Sequence, residues 1–97
     1  MTLVSSKKLL KDAQKGGYAV GAFNAENMEM VQAVVAAAEA KRSPVIIQPT
    51  PGTLKYADTD MFTAMAQAAA ENADVPVVIH LDHGDSFDTA MKAFRSG

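Results

Sequence analysis

Apolar residues run along this chain in two rhythms. Three short stretches are almost continuously apolar: "YAVGAF" (18–23), "SPVIIQ" (43–48) and "VPVVIHLD" (75–82). Unbroken apolar runs, unlike alternating ones, predict strands buried on both faces, as in a parallel sheet covered by helices. Between them the apolar positions recur at helical spacing. "AENMEMVQAVVAAAEAKR" places Met30, Val31, Val34, Val35 and Ala38 on one side, and "DMFTAMAQAAAENA" does the same with Phe62, Met65 and Ala69. Met61 and Met65, one turn apart, read as packing residues. Ser5-Ser6 can cap a first short helix carrying Leu9, Leu10 and Ala13, which Gly16-Gly17 stops. Asp58 or Thr59 can cap the helix around Phe62. Ser86 can cap "FDTAMKAFRS", and Gly97 stands where a C-terminal cap belongs. "PTPGT" (49–53) reads as a loop from its Pro and Gly.

Strands alternating with helices predict an α/β fold built on parallel βα units, in one domain over residues 1–97 with no linker or low-complexity break. Three units are few. Doubly wound sheets usually have five or six strands, and a (β/α)8 barrel needs about 250 residues. Three parallel strands also leave two apolar edges free to pair. The pattern therefore reads as the first third of a larger domain.

Composition narrows the function. Of 97 residues, 48% are hydrophobic and 21% charged, with a formal net charge of -2. A binder of nucleic acid or of an anionic membrane would need a basic surplus, which is missing. The absence of cysteine removes disulfides, zinc ribbons and thiol nucleophiles. The start "MTLVSSKKLLKDAQ" lacks a signal-peptide core, and no run is long enough for a membrane span. A cytoplasmic protein is the expectation.

Working residues of parallel α/β folds lie at the carboxyl ends of the strands. Those positions hold Asn24, then Gln48 to Thr53, then Asp82-His83-Gly84. Amide, hydroxyl, carboxylate and imidazole groups thus share one rim, as a small-molecule site requires. "HLDHGDS" contains the only two histidines of the chain. A neutral imidazole is a common zinc ligand, and a neighbouring carboxylate can move protons. Successive strand residues point to opposite faces, so Asp82 and His83 meet only if the strand ends there; Gly84 makes that bend inexpensive. The same pair also reads as a hydrogen-bonded brace for a loop. His80, inside the apolar run, reads as a hydrogen-bonded core histidine rather than a ligand. Asn24 either orients a substrate group or caps the next helix. "TPGT" offers hydroxyls and a backbone nest for a phosphate oxygen, or is simply a turn. Asp85 and Asp88 read as a solvated helix start.

Taken in order, "GYAVGAFN", "SPVIIQPTPGT" and "HLDHGDSF" resemble the N-terminal third of class II, metal-dependent ketose-bisphosphate aldolases. The resemblance implies the first three units of a (β/α)8 barrel, catalytic zinc, and a phosphorylated sugar substrate. It implies reversible cleavage of fructose or tagatose 1,6-bisphosphate to dihydroxyacetone phosphate and glyceraldehyde 3-phosphate. It also implies a homo-oligomer, dimer or tetramer. Carried over by position, His83 resembles a zinc ligand and Asp82 the acid/base acting at the C4 hydroxyl. Asn24 resembles a substrate-binding asparagine. Thr50 stands where many members have a serine near the substrate phosphate. "TPGT" resembles tagatose-type members and "HLDHG" fructose-type ones. The family's remaining zinc ligands have no counterpart among these 97 residues, so this chain alone is expected to be inactive.

Two other classes compete. A Schiff-base aldolase would need a desolvated lysine, whereas Lys7, Lys8, Lys11, Lys15, Lys41, Lys55 and Lys92 all fall in helices or loops. A non-catalytic module docking through its sheet edges is the third.

Overall fold

The computed structural model describes residues 3–97. Its elements run α1 (Ser6–Gly16), β1 (Gly21–Phe23), α2 (Met28–Ala40), β2 (Val45–Ile47), α3 (Pro51–Ala57), α4 (Thr59–Asn72), β3 (Val77–Ile79) and α5 (Phe87–Ser96). The three strands pair in parallel in the order β1-β2-β3, with Ala22, Ile46 and Val78 in register. This is the expected α/β arrangement, with each strand shorter than its apolar run.

The register divides the sheet into two faces. Val45, Ile47 and Val77 pack with Val31, Val35 and Ala38 of α2 and Phe62, Ala66 and Ala70 of α4. On the other face Ile46 and Val78 pack with Leu9 of α1, and Val20 lies against them. The first helix therefore lies over the amino-terminal half of that face. Ile47 and Val77 are completely buried, which fixes β2 and β3 against slippage, since a one-residue shift would turn every side chain to the wrong face.

Several expectations change in detail. The buried stripe of α4 is Thr59, Phe62, Ala66 and Ala70, so Met65 and Ala69 only flank it and Met61 is 69% exposed. On α2, Met30 likewise turns outward, and on α1 Leu10 does so. Asp58 is the cap of α4, accepting from the N–H groups of Asp60 and Met61. Of the two sheet edges, that of β3 is not wholly free. Leu3 forms a parallel bridge with Val77, and Val4 N–H donates to Val77 O at 3.0 Å.

The "PTPGT" stretch is the largest departure, because it opens a helix rather than forming a loop. Thr50 is the N-cap of α3, Pro51 occupies the first turn, and Thr53 completes a capping box. Proline costs nothing at the first helical position, where its missing N–H would have no partner. A threonine three residues after the cap substitutes for the usual Glu or Gln of the box.

Candidate active site

Strand pairing continues past the last strand residues and sets the geometry of the rim. Gln48 N–H donates to Phe23 O at 3.0 Å, His80 N–H to Ile47 O at 2.9 Å, and Asp82 N–H to Pro49 O at 2.9 Å. The ladder carries the two-residue period forward, so Asn24, Gln48, His80 and Asp82 follow the parity of Ala22, Ile46 and Val78. They lie on the face that α2 and α4 do not cover. His80 is exposed there and not part of the core, contrary to the reading of it as a buried histidine. It stands one residue beyond β3.

Asn24 is also exposed, and it is not the helix cap. That role belongs to Asn27, whose side chain accepts from Met30 N–H at 2.9 Å. The capping alternative for Asn24 is thereby removed.

Asp82 sits beyond the carboxyl end of β3 with its side chain 32% exposed. Its Oδ1 accepts His83 N–H at 3.0 Å, and its Oδ2 accepts Gln48 Nε2 at 3.3 Å. The chain then turns sharply, with φ of 63° at His83 and 72° at Gly84. Left-handed backbone is natural for glycine but uncommon for histidine, at a cost of order 1–3 kcal/mol. The turn lets two neighbours that a strand would separate approach each other: His83 Nε2 lies 3.7 Å from Asp82 Oδ2. The imidazole is 74% exposed and open to a ligand.

At the second strand end, Thr50 and Thr53 bond reciprocally through side chain and backbone. Thr53 Oγ1 donates to Glu26 Oε2 at 2.9 Å. Gln48 and Glu26 are the rim residues that sequence reasoning underrates. For Gln48 a signal existed, since it stands at a strand's carboxyl end; Glu26 meets Thr53 across 27 positions, and no local pattern announces it. On α1 the hydrogen bond from Lys8 to Asp12 and that residue's charge raise the Lys8 pKa.

The donor set fits one corner of a zinc site. His83 presents an accessible imidazole beside a carboxylate, the usual nitrogen donor with a potential neighbour. No three His, Cys, Asp or Glu side chains that could hold a metal ion converge among the described residues. All seven lysines are exposed, and none offers the desolvated amine a Schiff base needs. No helix among the described residues is long and apolar enough to cross a membrane.

The chain is similar to known proteins over almost its whole length. The chain is 46% identical over 95 residues to a fructose-bisphosphate aldolase of Thermus caldophilus, covering 98% of this chain and 31% of that one. It is 44% identical over 100 residues to a fructose-bisphosphate aldolase of Treponema pallidum (strain Nichols), covering 98% and 30%. The crystal structure of the YdjI aldolase from Escherichia coli K12 superposes with a TM-score of 0.92 at 36% identity, over 98% of this chain and 37% of that one. The chain thus spans about a third of the length of these relatives. Its three parallel units correspond to the opening part of the aldolase barrel. The family model described as fructose-bisphosphate aldolase class-II matches residues 4–97, and the chain belongs to that family.

Proposed function

We propose that residues 1–97 form the opening part of a single-domain (β/α)8 aldolase. It would cleave a ketose 1,6-bisphosphate, fructose or tagatose, to dihydroxyacetone phosphate and glyceraldehyde 3-phosphate. The observation that carries the reading is the Asp82–His83 turn, where a half-open carboxylate and an accessible imidazole lie 3.7 Å apart on the rim. Metal binding and proton transfer must act on neighbouring atoms of one substrate, and this turn provides a group for each.

Asp82 removes the C4 hydroxyl proton during cleavage. The C3–C4 bond breaks as the C4–O bond becomes a carbonyl, and the electron pair stays with the three-carbon fragment that carries the ketone. In condensation the same carboxyl returns its proton to the aldehyde oxygen. Gln48 holds Oδ2 and His83 N–H holds Oδ1, so the carboxylate is oriented before substrate arrives. His83 would hold zinc together with donors from outside these residues. When bound, zinc polarises the substrate carbonyl as a Lewis acid. Asn24 and Thr50, on the first two strand ends, contact substrate hydroxyl and phosphate groups.

The test is aldol cleavage by the full-length protein with each bisphosphate, before and after chelation. Loss on chelation, return on adding zinc, and no borohydride trapping are expected. Borohydride inactivation in the presence of substrate would instead establish the Schiff-base route.

A further inference from the structure

Thr53 is fully buried, yet its hydroxyl is a junction. It donates to Glu26 Oε2 at 2.9 Å, accepts Thr50 N–H at 3.1 Å, and lies 3.3 Å from Thr50 Oγ1. A hydroxyl has one hydrogen to give. Since Thr53 gives its own to Glu26, Thr50 must be the donor in the hydroxyl pair. Thr50 Oγ1 in turn accepts Thr53 N–H at 3.4 Å. The bonds therefore point one way, from Thr50 at the rim through Thr53 to Glu26. The carboxylate oxygen ends the chain as an acceptor.

This chain of bonds joins two loops. Glu26 lies between β1 and α2, two residues beyond Asn24, while Thr53 lies in the first turn of α3, three residues beyond Thr50. Each loop carries one of the candidate substrate contacts. Resting on the aldolase reading, we propose that Glu26 is a positioning residue. Through Thr53 it holds the Asn24 and Thr50 loops at a fixed separation for the phosphorylated substrate.

Glu26 touches no reacting atom, so its loss acts on binding. One hydrogen bond to a carboxylate corresponds to a change of roughly tenfold or more in an equilibrium. In the full-length protein, Glu26→Ala and Thr53→Val should each raise KM for the bisphosphate about tenfold, with kcat within about twofold of the parent. The double variant should be no worse than Thr53→Val alone, because that change already breaks the bond to Glu26. Thr53→Ser, which keeps the hydroxyl, should restore KM. A purely structural role would reduce the active fraction, and with it apparent kcat, leaving KM in place. If Thr53→Val does not fold, Glu26→Ala and Thr53→Ser carry the comparison. An unchanged KM in folded Glu26→Ala, or additive losses in the double variant, would overturn the proposal while cleavage by the parent keeps the aldolase reading. Absence of cleavage by the parent would remove both.

Discussion

Replacing Asp82 by asparagine separates chemistry from structure at this rim. The side chains share a shape, and the asparagine oxygen can take the place of Oδ1, still accepting the fixed His83 N–H. Its amide nitrogen then faces Gln48, which can rotate its own amide to offer oxygen instead of Nε2. Both contacts survive as neutral hydrogen bonds. For a group about a third exposed, exchanging charged for neutral bonds should cost about 1–2 kcal/mol of stability. A protein with the usual 5–15 kcal/mol stays almost wholly folded after such a loss, and Tm falls by only a few degrees. The amide cannot take a proton from the C4 hydroxyl. General acid–base catalysis supplies about 10²- to 10⁴-fold, so the barrier should rise by about 3–5 kcal/mol. Zinc content should stay near normal because His83 is untouched. Steady-state cleavage, metal analysis and thermal unfolding on the full-length variant measure the three quantities separately. A folded, zinc-loaded Asp82→Asn protein with normal turnover would refute the role of Asp82, and activity lost only in step with unfolding would leave it a structural brace.

His83→Ala removes the proposed ligand, so zinc retained after dialysis and cleavage should fall together, and intact zinc content would exclude His83 from the metal site. Ile47→Ala deletes a completely buried side chain from the middle strand and should cost about 2–5 kcal/mol, read by denaturant unfolding. Residues 1–97 expressed alone should show no turnover of either bisphosphate, and detectable turnover would contradict the partial coordination shell. The same isolated segment should self-associate in sedimentation, because the β1 edge and the exposed Phe87 and Phe94 of α5 offer apolar surface for pairing; a stable monomer with a cooperative unfolding transition would oppose this.

β2 and β3 were legible because burial on both faces leaves an unbroken apolar run, and Val45–Ile47 is buried at all three positions. β1, an edge strand, is instead exposed at all three, contrary to the expectation of strands buried on both faces. The strand ends were not legible, since the apolar run of β3 continues through Leu81 while the strand itself ends at Ile79. That overrun explains the misreading of His80, which shares the rim's parity but lies beyond the helices that bury Val77. Pro51 and Gly52 misled in the opposite direction. Their turn character is real in isolation, but the reciprocal Thr50–Thr53 bonds supply the partners that a helix start needs. Asn24 and Asn27 are both plausible caps in sequence. Three residues are needed to leave the strand and enter the helix, so the second is the cap and the first remains on the rim. Contacts such as Glu26–Thr53 and Gln48–Asp82 depend on which loops the sheet brings together, and that information appears only with the register.

The rim is polar for a reason that belongs to the sheet itself. Odd-numbered strand positions from Val45 to Ile79 meet the helices and must be apolar along their whole length. Even-numbered ones meet α1 only at Leu9, so Ile46 and Val78 are covered and the positions beyond them are not. Asn24, Gln48, His80 and Asp82 occupy that uncovered end, where a polar side chain loses no packing and can remain hydrated. Only His83 has the opposite parity, and a strand would have pointed it toward the helices. Its left-handed backbone brings it back to Asp82, with His83 N–H held by Oδ1 and the following Gly84 sharing the turn. A strained histidine survives only where its surroundings hold it, and here the same carboxylate that would move the proton also fixes the turn that presents the proposed metal ligand. Asp82 is therefore expected to matter twice, and Asp82→Asn, which keeps the Oδ1 bond while removing the proton transfer, tests one role without disturbing the other.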